Sequence, residues 1–156
     1  MLQRCSWTAG KSVSVGVIGG SISWGHAVNK GVEDWFSVFS GWMNSTFPES
    51  KLTFKNGCIP ATLSEYVSMC LKQFVRSDVD LVFVEYVTND GYHDGDINNG
   101  PVKSFERLLR KLLDFQNAPA VCLMEFLATG VRRNSVPFWA TGVRPLEIVQ
   151  ESFINH

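Results

Sequence analysis

With 156 residues and 45% hydrophobic content, the chain can bury one sizeable core and is expected to form a single domain or part of one. Its 14 basic and 15 acidic residues leave a formal charge of -1, so no overall basic field points to nucleic acid or to an anionic membrane surface. No apolar run has the length of a transmembrane helix and the first residues lack the apolar centre of a signal peptide; Cys5, Cys58, Cys70 and Cys122 show neither a C-x-x-C pair nor zinc spacing.

The first predicted element is a strand over residues 13–18. Val13, Val15, Val17 and Ile18 form a β-branched apolar run that stops at Gly19-Gly20, the pattern of a buried parallel strand meeting a tight turn. Ser21 stands where this strand hands over to an amphipathic stretch over 22–41, a place where backbone N–H groups point outward and favour negative charge. Two readings of Ser21 compete here, a nucleophile and a helix N-cap beside a glycine turn. Gly20 and Gly25 also have the spacing of a phosphate loop. His26 and Ala27, however, occupy the places of the lysine and hydroxyl which that motif requires.

A helix follows over 35–47, with Trp35, Phe36, Phe39, Trp42, Met43 and Phe47 at three- and four-residue steps, and Pro48 ends it. The second strand covers 52–55 and runs into the turn-rich loop Asn56-Gly57-Cys58-Ile59-Pro60. A helix is expected over 63–74, with Leu63, Tyr66, Val67, Cys70, Leu71 and Phe74 on one face. Cys58 and Cys70 could be brought together by it, though spacing alone does not establish a disulfide. The clearest strand covers 81–87, apolar except for Glu85, and ends in Thr88-Asn89-Asp90-Gly91.

Residues 92–101 read as a polar loop. Its Asp94-x-Asp96-x-Asn98 suggests calcium, but Gly100 and Glu106 each arrive one residue late for that loop, so the sequence predicts a solvated segment. A strongly amphipathic helix over 102–115 turns Phe105, Leu108, Leu109, Leu112 and Leu113 inward and Lys103, Arg107, Arg110 and Lys111 outward. A fourth strand over 119–126, an irregular stretch over 129–141 and a last helix over 144–154 complete the chain. Four alternations of strand and helix, with connections too long for hairpins, predict an α/β fold: a three-layer α/β/α sandwich on a parallel sheet. Functional groups in such sheets gather beyond the carboxyl ends of the strands, where Ser21, residues 56–62 and Asn89 all fall.

A serine at a strand-to-helix turn, a backbone donor from a second loop and a carboxamide from a third are the parts of an acyl-transfer site. In order and spacing they resemble the SGNH hydrolase superfamily, the GDSL-type esterases and lipases. Gly19-Gly20-Ser21 is similar to the family's Gly-Asp-Ser block, with Gly20 in place of the aspartate, a variant known among polysaccharide-associated members. Residues 56–62 match the second block, whose oxyanion glycine falls on Ala61; alanine also supplies the backbone N–H, provided that its φ is negative. Val87-Thr88-Asn89-Asp90 matches Gly-x-Asn-Asp, with Val87 replacing the glycine.

The resemblance implies a flavodoxin-like SGNH-hydrolase fold and a serine esterase that hydrolyses or transfers O-acyl groups, with a lean toward acylated carbohydrate. Ser21 would be the nucleophile, and its N–H, the Ala61 N–H and the Asn89 carboxamide would hold the oxyanion. The implied partner is a small-molecule or carbohydrate ester, with no metal or organic cofactor. The family takes its general base from a late Asp-x-x-His block that follows another strand. No such block follows residue 126, and His156 has Phe153 three places before it. His93 is expected to face solvent from its loop, and His26 to line the rim behind the nucleophile turn. The expectation is therefore one domain over 1–156 that lacks its last strand and helix and is weak or inactive as an esterase. The rival is a non-catalytic carbohydrate- or partner-binding module on the same fold.

Overall fold

Four parallel strands, β1 (Ser12–Gly19), β2 (Lys51–Asn56), β3 (Leu81–Glu85) and β4 (Ala120–Leu123), form one sheet in the order β2-β1-β3-β4 in the computed structural model. The structure describes residues 12–90 and 98–126. The expectations for His93, Asp94, Asp96 and His156, for the stretch 129–141 and for the helix over 144–154 lie outside them.

The strands with the longest apolar runs, β1 and β3, are the inner pair, with Val15 opposite Leu81 and Val17 opposite Phe83. Alternate residues of these strands face opposite sides, and helices cover both. On one side α3 (Ser64–Met69), α4 (Leu71–Phe74) and α6 (Gly100–Leu113) bring Val67, Leu71, Leu108, Leu109 and Leu112 onto Ile18, Val82, Val84 and Val121. On the other, α1 (Ser21–Trp24) and α2 (Trp35–Thr46) lay Trp24, Trp35, Phe36 and Phe39 against Val15, Val17, Phe54, Phe83 and Cys122. Trp35 and Phe39 meet the Phe83 ring edge-on, at centroid distances of 5.4 and 5.2 Å. The result is the predicted three-layer α/β/α sandwich, and its strand order follows the flavodoxin-like pattern through four strands.

Several elements end earlier than their periodicity suggests. The amphipathic stretch 22–41 is not one helix, because Gly25 adopts φ +93° and turns its N–H back to the carbonyls of Ser21 and Ile22. The helix over 63–74 breaks at Cys70, which has φ −130° and ψ 34°. Strand β3 stops at Glu85, and Val87 and Asn89 belong instead to the single turn α5 (Val87–Asp90). Helix α6 starts two residues before its apolar pattern, because Asn99 caps it by accepting from Val102 N–H at 2.9 Å. Trp42, Tyr66 and Leu113, read as core, are exposed; Trp42 rests on Phe39 and Phe47 of its own segment rather than on the sheet. Cys58, Cys70 and Cys122 are free thiols, so no Cys58–Cys70 disulfide forms.

Between α1 and α2 the chain is tied by Asp34. Its carboxylate accepts from Gly31 N–H (2.6 Å), Ser37 N–H (2.9 Å) and Ser37 Oγ (2.7 Å). Burial alone would raise this carboxyl, but the hydrogen bonds from Ser37 and Gly31 outweigh it and hold the group below its ordinary value. A depressed folded value means stability that is present above the unfolded pKa of 3.8 and lost as pH falls through the folded one. Asp34→Ala is expected to cost about 1 to 2 kcal/mol at neutral pH, as for a lost N-cap with a second bond. The deficit should shrink below the pKa of 3.8 in paired urea melts of the two proteins.

Candidate active site at the carboxyl edge of the sheet

Three loops leave the sheet at the same edge. The first begins where β1 meets β3 with no room to spare: a Cβ on Gly19 would lie 2.7 Å from the Glu85 carbonyl oxygen. Gly20 then donates its N–H to both the carbonyl oxygen and Oε2 of Glu85, each at 3.2 Å. Gly20, not Ser21, is the residue that caps α1, and it makes no side-chain bond there. The N-cap reading of Ser21 is therefore corrected: Ser21 is the first helical residue, half-buried, and its carbonyl accepts from His26 N–H at 3.0 Å. Because α1 is a single turn, few peptide dipoles align in it, so the electrostatic preference expected of a strand-to-helix handover is small here.

The second loop continues the ladder past the end of β2. Gly57 N–H reaches the Val17 carbonyl at 2.9 Å and Ile59 N–H the Gly19 carbonyl at 3.1 Å. Asn56 works in two directions. Its Oδ1 accepts from Cys58 N–H (3.0 Å) and its Nδ2 donates to the Ser23 carbonyl (2.9 Å), which binds this loop to the turn that carries Ser21. Ala61 is exposed at the tip with φ +58°, so the condition of a negative φ, under which alanine could replace the glycine without strain, is not met. An L-residue in this region carries about 1 to 2 kcal/mol of strain, of which the extra freedom of an unfolded glycine would return about 0.4 to 1 kcal/mol. Ala61→Gly should thus raise stability by about 0.5 to 1 kcal/mol in chemical melts, whereas Ala61→Val should lower it.

The third loop turns immediately. Asn89 and Asp90 both return their N–H groups to the Tyr86 carbonyl, at 3.0 and 2.9 Å. The Asn89 side chain then lies between the other two loops. Its Nδ2 donates to the Thr62 carbonyl at 2.8 Å, and its carboxamide presses on Gly20, where a Cβ would come within 2.8 Å of Asn89 Cγ. Asp90, buried behind it, accepts from Ser64 N–H at 2.9 Å and fixes α3 to the same edge. Gly20, Asn89 and Thr62 therefore form one continuous series of contacts, and the three sequence-nominated residues, Ser21, Ala61 and Asn89, are members or immediate neighbours of it. An amide nitrogen carries two hydrogens, so among the described residues Asn89 keeps one donor beyond the bond to Thr62.

Among the described residues the histidine is His26, which is exposed behind the turn. No group of three His, Cys, Asp or Glu side chains with metal-holding geometry occurs among them. Cys58, buried beneath the second loop, is no rival nucleophile: burial, and then the Glu85 charge, push its thiol far up. Two residues of the edge were missed in the sequence. Glu85 was visible as the one charge in an apolar strand, whereas Asn56 looked like an ordinary turn former.

No protein-family model and no curated protein matches the chain. Solved structures do. A two-domain esterase active on acetylated mannans superposes with a TM-score of 0.63 at 26% identity, over 73% of this chain and 30% of that one. An acetylxylan esterase from Geobacillus stearothermophilus gives 0.53 at 17%, over 75% of this chain and 61% of that one. A protein assigned to the lipolytic G-D-S-L family of Desulfitobacterium hafniense gives 0.56 at 17%, over 78% of this chain and 65% of that one. This chain thus spans less than two thirds of each of these three.

Proposed function

We propose, from the SGNH-hydrolase fold that this chain carries, that Ser21 attacks the carbonyl of an O-acyl ester, and that the oxyanion is held by the Ser21 N–H, the second Asn89 amide hydrogen and the Ala61 N–H, which alanine keeps at φ +58° at the cost of backbone strain. The observation that carries this reading is the contact series Gly20, Asn89, Thr62, which draws three remote segments to one point at the edge of the sheet. Attack forms the Oγ–carbonyl bond and gives the Oγ proton to a base. Collapse breaks the bond to the alcohol, which takes the proton back, and water repeats the sequence to free the acid. The donors act because they are fixed before charge develops. The base is the family's late histidine on this reading, and without one Ser21 attacks slowly.

The acyl donor is proposed to be an acylated carbohydrate. Support comes from Gly20 in the first block and from the neighbouring fold of an esterase active on acetylated mannans. A second reading is a module that binds acylated sugar without turning it over, since the same contact series can hold a carbonyl oxygen without any base.

The two readings part in a labelling experiment. An activated alkyl phosphonate, which mimics the tetrahedral species, is incubated with the protein and with Ser21→Ala. Mass spectrometry is expected to find one adduct on the peptide holding Ser21 and none in the variant. A folded protein that takes no label, yet is protected from heat by an acetylated oligosaccharide, would be the binding module instead.

A further inference from the structure

We propose that Glu85 is a positioning residue for the Ser21 turn: its buried carboxyl takes the Gly20 N–H and holds the Gly20–Ser21 peptide so that the Ser21 amide faces the reacting ester. The proposal rests on the ester reading of the same site.

Glu85 ends β3 with 1% of its surface exposed, in a strand that is otherwise apolar. A carboxyl removed from water is costly unless hydrogen bonds replace the lost hydration. Asp34 shows the saturated case, with three bonds to its two oxygens. Glu85 is not saturated in this way. Its Oε2 accepts the Gly20 N–H at 3.2 Å, while Oε1 is buried with no hydrogen-bond partner among the described residues. The carboxyl is therefore a poor structural plug, but it is well placed beside the nucleophile. Gly20 shares one N–H between the Glu85 carbonyl and carboxyl, and the missing side chain of Gly19 lets both approach, since a Cβ there would be 3.1 Å from Oε2. One peptide further along is the amide nominated for the oxyanion.

The groups facing this carboxyl are Ser23 on α1, Cys58 and Tyr86 as buried neutral side chains, and Asp90 on α5; Lys30 is the cation of the adjoining loop. Burial pushes Glu85 up and the Asp90 charge adds to this, against the bond from Gly20 and the stabilising effect of Ser23 beside it. Its carboxylate should therefore take up a proton at higher pH than a solvent-exposed glutamate, and the bond to Gly20 weakens when it does.

The test uses the full chain, Glu85→Gln and Glu85→Asp, with two readouts: the rate of phosphonate labelling at Ser21 against pH, and exchange of the Ser21 amide hydrogen by NMR. Glu85→Gln is expected to slow labelling about tenfold at neutral pH, the scale of one charge-assisted hydrogen bond. It should also remove an acid limb whose midpoint in the parent lies above 4.5. Glu85→Asp should keep the acid limb yet label slowly, because the shorter chain draws the carboxyl away from Gly20. Labelling at the parental rate in either folded variant overturns the proposal. If the parent itself takes no label, the ester reading is lost and the amide decides. Exchange about tenfold faster in Glu85→Gln than in the parent still supports the positioning role, and equal exchange overturns it.

Discussion

Gly20→Ala is expected to lower the reactivity of Ser21 toward esters about 10²- to 10³-fold, the cost of one lost oxyanion donor, while the protein stays folded. The argument is steric. A Cβ on Gly20 would lie 2.8 Å from Cγ and 3.0 Å from Oδ1 of Asn89. What it meets is the end of a side chain, which can swing aside, but only by leaving the Thr62 carbonyl that it holds at 2.8 Å. The sheet is therefore spared and the donor is displaced. Gly20 has φ −90°, a value open to alanine, so backbone strain contributes little. Hydrolysis of p-nitrophenyl acetate by Gly20→Ala, Asn89→Ala and the double variant checks this. Both single changes should cost about the same, and the double change no more than either, because they remove one interaction. Parental rates in Gly20→Ala would show that the carboxamide has no part in the chemistry.

Gly57→Ala is expected to have the largest effect on stability, with a loss of about 3 kcal/mol or more. Here the added Cβ would meet backbone: the Phe74 carbonyl carbon at 2.8 Å and Cα at 3.2 Å. Neither can rotate away. On its other side Gly57 is tied to the Val17 carbonyl at 2.9 Å, so the loop cannot retreat without opening the end of the sheet. For a chain of this length the melting temperature should fall by about 6 to 12 °C. A calorimetric scan that finds the variant within about 2 °C of the parent would mean that α4 yields more readily than its packing suggests.

Much of the fold is legible in the sequence because the inner strands are covered on both faces, and uninterrupted apolar runs such as 81–84 have few other uses. The site is partly legible for a topological reason: in a parallel sheet every strand ends at the same edge, so Ser21, Ala61 and Asn89 could be nominated together. What was not legible depends on neighbours distant in sequence or on a single backbone angle. The break at Cys70 and the left-handed Ala61 have no local signature that period counting can detect. Trp42 has the correct helical spacing for the core, yet it is exposed and rests on Phe39 and Phe47, which period counting does not reveal. Glu85 was not nominated, although a lone charge in an apolar run is the kind of local conflict that marks a functional position.

The aromatic layer beneath the Ser21 turn has a practical use. Trp35 donates its indole N–H to Ser23 Oγ at 3.1 Å, two residues from Ser21, and its ring packs on Phe36 and Phe83. Indole emission is sensitive to whether that nitrogen is engaged and how dry its surroundings are, so Trp35 is an internal optical reporter of the corner that carries Ser21. The chain holds five tryptophans, so a variant that keeps Trp35 alone isolates that emission.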